Sequence, residues 1–245
     1  MRHRVLESSE GLWRQEEEEI LEEVPFLVYI NGRKLTSLFR TPGEDEALLI
    51  GLCFTEGIVR EREDILSMRI SEDMAEVRIK GEYKGGEEPR GVKEIVKEIK
   101  ARSLLFKPEG RPIEVEEVLG CVRRMESAQR LREATGTSHA AMLFSYALEP
   151  ISMGEDVGRH NAFDKAIGKA LMEGRVKEVF LATLSSRISF EMAKKAAMIG
   201  AKILVGTSKA TSMAVLLGEE LKMSILSVKE AKEVMIYSSP KRIRR

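Results

Sequence analysis

Thirteen residues just past the middle of the chain, MGEDVGRHNAFDK (residues 153–165), gather most of the side-chain types that do polar chemistry. They include Gly154 and Gly158, the acids Glu155, Asp156 and Asp164, the bases Arg159 and Lys165, and His160 beside Asn161. An apolar run over 140–147 precedes them and a helical pattern follows. The order reads as strand, glycine-containing polar turn, helix start. In α/β sheets ligands bind beyond the carboxyl ends of strands, where helix N-termini offer free N–H groups to anions. The competing reading is a capped helix on a solvated loop.

Two more turns of this kind follow apolar runs: SSRISFE (185–191) and GTSKATS (206–212). Right-handed crossovers carry all three turns to one sheet edge. Ser185, Ser186, Arg187, Ser189, Thr207, Ser208, Thr211 and Ser212 then ring Arg159 and His160. Hydroxyls, helix N-termini and two arginines suit a phosphate or pyrophosphate, although Ser and Thr also serve simply as caps. On this reading Arg159 and Arg187 contact phosphate, and His160 and Asn161 hydrogen-bond the ligand. Asp164, one helical turn on, orients His160 or Arg159. Upstream, Thr135 and His139 line the same cleft; the strand between the histidines leaves them either sharing it or ~25 Å apart.

No residue is assigned a catalytic role. A metal would need His139, His160 and an acid such as Asp156 to converge, and no HxxxH or HxE spacing supports one. A GxSxG elbow, a Walker A loop and the PCxxC of a zinc deaminase are absent. The chain's two cysteines, Cys53 and Cys121, are too few and too distant for a CxxC pair or a four-ligand zinc site. Both fall among helix-patterned apolar residues, as buried structural thiols do.

A regular second half must position these groups. Its pattern predicts strands over 140–147, 179–184, 201–205, 224–227 and 234–238, with helices over 161–172, 190–199 and 211–221. That alternation argues a layered α/β sheet with helices on both faces. A longer helix is expected over 114–133. Before it, residues 24–112 read as a smaller β-rich lobe. It has a hairpin turning at Asn31-Gly32 and a helix over 44–56 with Leu48, Leu49, Leu52 and Cys53 on one face. A strand pair (65–70 and 75–79), a loop (81–91), a helix from Val92 and a connector (104–112) complete it. Residues 1–23 are expected to be a charged arm, either a frayed helix or flexible. The lobes thus divide as 24–112 and 113–245.

Lys+Arg 40 balances Asp+Glu 40, so no global field attracts nucleic acid or an anionic membrane. No apolar run nears the ~20 residues of a membrane span, and the first residues lack a signal-peptide core, so a cytoplasmic location is expected. Asn and Gln are scarce while Glu, Lys and Arg abound, a bias that suits a thermophile.

TGTSHAA (135–141), GEDVGRHNAFDK (154–165), SSRISFEMAKKAAMIGA (185–201) and IYSSPKRI (236–243) resemble the FdhD family, as does residues 31–58 upstream. The likeness runs over residues 24–243. It implies a fold related to cytidine deaminases without their zinc. It further implies a carrier that accepts persulfide sulfur from a cysteine desulfurase and passes it to the molybdenum (or tungsten) bis-pterin guanine dinucleotide cofactor of formate dehydrogenase or a related oxidoreductase. GDP is a fragment of that cofactor. By resemblance Ser208 and Thr211 join the cofactor site, as does the segment Val228, Lys229, Glu230, Ala231, Lys232, Glu233. A homodimer is compatible with the family, and no pattern here establishes one. The family's CGxCG-like motif is missing, since residues 87–106 hold no cysteine. Two readings therefore stand: a sulfur carrier, or a non-catalytic chaperone of the cofactor.

Overall fold

The computed structural model describes residues 1–9, 12–83, 85, 92–103, 111–230 and 232–244. The first segment is neither helix nor loose arm. Strands β1 (Arg2–Ser9) and β2 (Leu12–Glu19) form an antiparallel hairpin. Its register sets Arg2 against Glu19, His3 against Glu18 and Arg4 against Glu17. The acidic block, self-repelling within a helix, finds opposite charges across a ladder.

The next hairpin is the predicted one. Strands β3 (Val24–Ile30) and β4 (Arg33–Arg40) turn at Asn31 and Gly32, with φ of 48° and 78°. Positive φ at both positions is what a two-residue hairpin turn demands. Helix α1 (Asp45–Thr55) and strands β5 (Ile65–Ile70) and β6 (Met74–Ile79) follow, giving a four-stranded sheet in the order β4-β3-β6-β5. Helix α2 (Val92–Ser103) buries Val96 and Ile99. The loop expected over 81–91 and the connector over 104–112 fall largely outside the described residues.

The predicted single helix over 114–133 is two. After the short strand β7 (Ile113–Glu114) come α3 (Val115–Ser127) and α4 (Arg130–Thr135). Gln129 leaves helical geometry at ψ 87°. The Glu155 carboxylate accepts from the N–H groups of Leu131 (3.1 Å) and Arg132 (3.3 Å). An acid from a distant strand thus satisfies donors that a new helix start exposes.

The remaining elements are β8 (His139–Ser145), β9 (Pro150–Asp156), α5 (Arg159–Met172), β10 (Val179–Leu184), α6 (Phe190–Met198), β11 (Ile203–Gly206), α7 (Ser212–Leu221), β12 (Ser224–Lys229), β13 (Glu233–Ser238) and β14 (Ile243–Arg244). β14 pairs with β7. The main sheet has the order β13-β12-β11-β10-β8-β9, parallel from β10 to β12 and antiparallel at both flanks. One face buries Met142, Phe144, Phe180 and Val205 against Val118, Val122 and Met125 of α3. The other buries Leu143, Ala182 and Leu204 against α5, α6 and α7. Helices cover both faces, as the alternation predicts. β9 corrects the reading of the focal stretch: residues 153–156 continue a strand and are not yet a turn.

The second of these cores continues into Phe26, Val28 and Val77 of the four-stranded sheet. Helix α1 lies in this shared core and buries every residue from Ala47 to Thr55, not one face alone. It crosses α5 at two glycines. A Cβ on Gly51 would stand 1.9 Å from the carbonyl oxygen of Asp164, and one on Gly168 would stand 1.8 Å from that of Ala47. Only glycine permits backbones this close.

Candidate functional site

Strand direction decides where the polar turns meet. β9 is antiparallel to β8, and β8 is antiparallel to β10, so β9, β10, β11 and β12 all run the same way. The turns that follow them gather at one edge of the sheet. His139 opens β8 in register with Asp156. The β8–β9 hairpin therefore returns the chain, and both histidines stand at this edge instead of a strand length apart. The turns after β10 and β11 are tied together: Ile188 N–H donates to the Lys209 carbonyl (3.2 Å) and Thr211 N–H to that of Ile188 (2.9 Å).

The focal stretch splits into two roles. One part is internal. Asp156 is fully buried and accepts from the N–H groups of Thr41 (3.2 Å) and Gly158 (2.9 Å), from Asn161 Nδ2 (2.9 Å) and from Lys165 Nζ (2.7 Å). Lys165 also donates to the Thr41 carbonyl (2.9 Å). Asn161 gives its second amide hydrogen to the Phe39 carbonyl (2.7 Å). Its amide donors are thus committed to the fold, so only its Oδ1 acceptor is left to meet a ligand. The stretch clamps the end of β4 to the main domain.

Asp164 is a second correction. It orients neither His160 nor Arg159. Its carboxylate accepts from Lys195 Nζ at 2.8 Å on both oxygens and from Thr55 Oγ1 at 2.9 Å. Lys195 also donates to Thr55 Oγ1 (2.8 Å). Both charged side chains are 3% exposed, and burial pushes the Asp164 carboxyl up. Sequence reading missed Lys195 although a signal was present. It lies on the apolar stripe Met192, Ala196, Ile199 of α6, as Asp164 lies on the stripe Ile167, Leu171 of α5. Opposite charges on two facing apolar stripes must find each other.

The other part of the stretch faces outward. His160 is half-buried, and its pKa is lowered to about 4 by burial, with Lys195, Arg159 and Arg187 adding to the effect. His139 is lowered too, mainly by burial, with Arg159 and Arg132 contributing against the Ser185 hydrogen bond. Both imidazoles are neutral at pH 7 among cations. Ser185 Oγ accepts from Ala140 N–H (2.7 Å) and lies 3.5 Å from His139 Nδ1. Arg159 Nε is buried with no hydrogen-bond partner among the described residues, and Arg187 is exposed. Neither Gly158 at the start of α5 nor Thr211 at the start of α7 makes a side-chain capping hydrogen bond. The arrangement offers cations, unsatisfied donors and neutral imidazoles to an anion.

Other residues are placed less centrally. Ser189 caps α6 through Met192 N–H (3.5 Å) and serves the helix. Thr135 donates to the Leu131 carbonyl (2.7 Å) at the end of α4. Ser208 and Thr211 are exposed at the β11 turn. Val228 is buried in the α3-side core, so its side chain is not a ligand contact there. Lys229, Glu230, Lys232 and Glu233 form the exposed β12–β13 turn at the same sheet edge, while Ala231 lies outside the described residues. Cys53 and Cys121 are buried, and burial pushes both thiols up to about 12. Among the described residues no group of three or more His, Cys, Asp or Glu side chains is arranged to hold a metal ion. No helix among them is long and apolar enough to cross a membrane.

Comparison with known proteins gives a consistent result. The model of the FdhD/NarQ family matches residues 21–244. Relatives named "Sulfur carrier protein FdhD" include one from Nocardia farcinica, 31% identical over 91% of this chain and 87% of its own. Another, from Mycolicibacterium paratuberculosis, is 31% identical over 99% of this chain and 98% of its own. A crystal structure from Desulfotalea psychrophila, assigned as a formate dehydrogenase accessory protein, superposes with a TM-score of 0.79 over 100% of this chain and 99% of that one. At 20% identity this last likeness speaks for the fold.

Proposed function

This chain belongs to the FdhD/NarQ family, and from that premise we propose that it serves formate dehydrogenase maturation in the cytoplasm by holding the pterin guanine dinucleotide cofactor at the sheet edge. The observation that carries the reading is Arg159, whose buried Nε lacks a partner among the described residues and which lies beside exposed Arg187 and neutral His160. A buried donor without an acceptor costs stability unless a ligand supplies one. Pyrophosphate oxygens are such acceptors. Arg159 and Arg187 hold them, His139 and His160 meet the ligand as neutral hydrogen-bonding groups, and Lys229 and Lys232 extend the positive edge. Asp156, Asn161, Asp164 and Lys195 hold the frame. The cofactor's own chemistry, a molybdenum or tungsten centre on two pterins, is cargo.

Calorimetric titration with GDP tests this reading. Micromolar binding is expected, weakened about tenfold to a hundredfold in Arg159→Ala and in Arg187→Ala, as loss of a charged hydrogen bond implies. Unchanged affinity in both variants would remove the site from this edge.

The relatives' name raises sulfur carriage, which would add a cysteine desulfurase as donor. A thiolate is the group that takes up persulfide sulfur. Here both cysteines are buried with thiols near 12, which favours the chaperone reading. Replacing both by alanine should leave maturation of formate dehydrogenase intact in a host lacking its own copy. Loss of activity in Cys121→Ala alone, with the fold retained, would return the function to sulfur transfer.

A further inference from the structure

A second cationic site lies at the opposite edge of the main sheet, where β11 and β12 begin. Lys202 directly precedes β11, and Lys222 ends α7 in left-handed geometry at φ 55°. Arg242, near the C-terminus, folds back between them. Two adjoining cavities of about 320 and 550 Å³ meet at Lys222. Lys202 lines the first, and Lys241 and Arg242 line the second. Among the described residues the one carboxylate in the lining, Glu220, pairs with Lys100 at 3.5 Å.

Helix C-termini attract cations, and that accounts for part of this cluster. Arg242 Nη1 donates to the carbonyls of Lys202 (3.3 Å) and Lys222 (3.2 Å) and lies 3.4 Å from Ser224 Oγ. It does not account for the three lysines. The ammonium groups of Lys202, Lys222 and Lys241 have no acceptor among the described residues. Lys202 is half-buried, and burial and then Arg242 lower its pKa. Arg242 is lowered by burial as well. Four cations held around a concave surface, whose described carboxylate Glu220 is paired with Lys100, repel one another, and the repulsion is relieved by an anion.

We propose that this groove binds a small polyanion of the diphosphate class, separately from the cleft at the other edge. A single carboxylate would neutralise one of the four charges. Adjacent phosphates present several, and ammonium groups meet them as point charges without needing the planar geometry of arginine. The apolar walls, Ile99, Leu221 and Met223 in one cavity and Pro112 and Pro240 in the other, leave room for a carbon moiety beside the anion.

Pyrophosphate is the probe, titrated by calorimetry into the parent, a Lys202→Gln/Lys222→Gln variant and Arg187→Ala. Saturable binding should persist in Arg187→Ala and weaken roughly tenfold or more in the paired lysine variant. Binding that survives the paired variant and disappears in Arg187→Ala would belong to the other edge and overturn the proposal. So would a parent that binds no pyrophosphate at millimolar concentration. Exposed Lys241→Gln is the second probe, should the paired variant fail to fold. It must weaken binding while leaving the melting curve unchanged.

Discussion

Lys195→Ala is expected to lower the unfolding free energy by about 3–5 kcal/mol, the cost of leaving a buried charge without its partner. Lys195 and Asp164 are each 3% exposed, so water does not replace the lost ammonium. Thr55 Oγ1 still donates to Asp164, but one neutral hydrogen bond does not offset a carboxylate already pushed up by burial. The carboxyl would take up a proton, and α1, α5 and α6 would lose the link they share. Urea denaturation measures the change. A Lys195→Met/Asp164→Leu variant should recover most of the loss, because buried ion pairs gain little over apolar packing of similar volume. A loss under about 1 kcal/mol in the single variant would mean that the pair behaves as a surface ion pair.

Gly168→Ala should be nearly as damaging, costing about 3 kcal/mol, the upper end for overpacking a core. The added Cβ would meet the Ala47 carbonyl at 1.8 Å, and backbone cannot rotate aside as a side chain can. α1 and α5 must separate, and with them the shared core. Gly120→Ala is the control. It lies within α3 with its nearest neighbour, the flexible Arg123 Nη2, at 4.0 Å. There alanine should stabilise by roughly 0.5–1 kcal/mol through helix propensity. Equal effects at both positions would show that helix propensity, not the α1–α5 approach, sets the response.

Local signals were legible where a residue's conformation depends on its neighbours in the chain. Asn31-Gly32 dictated a turn with positive φ, and the apolar run over 179–184 became β10 with the predicted bounds. The charges of residues 1–23 misled because they were read along the chain. Their partners lie across a hairpin, up to 17 residues away, as Arg2 and Glu19 show. The helix over 114–133 broke for a similar reason. Its second half is capped by Glu155, from a strand that no local pattern near Gln129 announces.

By itself the sequence determined the alternation of strands and helices from residue 179 onward, the burial of both thiols and the family motifs. The first polar turn, by contrast, reaches the common sheet edge through β9, which no local pattern announced. Periodicity and turn chemistry are short-range, and crossover topology follows from them. Only the tertiary structure decided which polar residues of the focal stretch face outward. Asp156, Asn161 and Asp164 are the same residue types a binding site would use, yet Thr41, Phe39, Thr55 and Lys195 consume them from positions 31 to 122 residues away in the chain. A polar side chain takes whichever partner folding brings to it, and that partner is fixed by packing across the α1–α5 crossing and the return of β4 onto β9. Arg159 Nε receives no hydrogen-bond partner from the described residues, and His160 lies among Lys195, Arg159 and Arg187 with the Glu56 carboxylate acting against them.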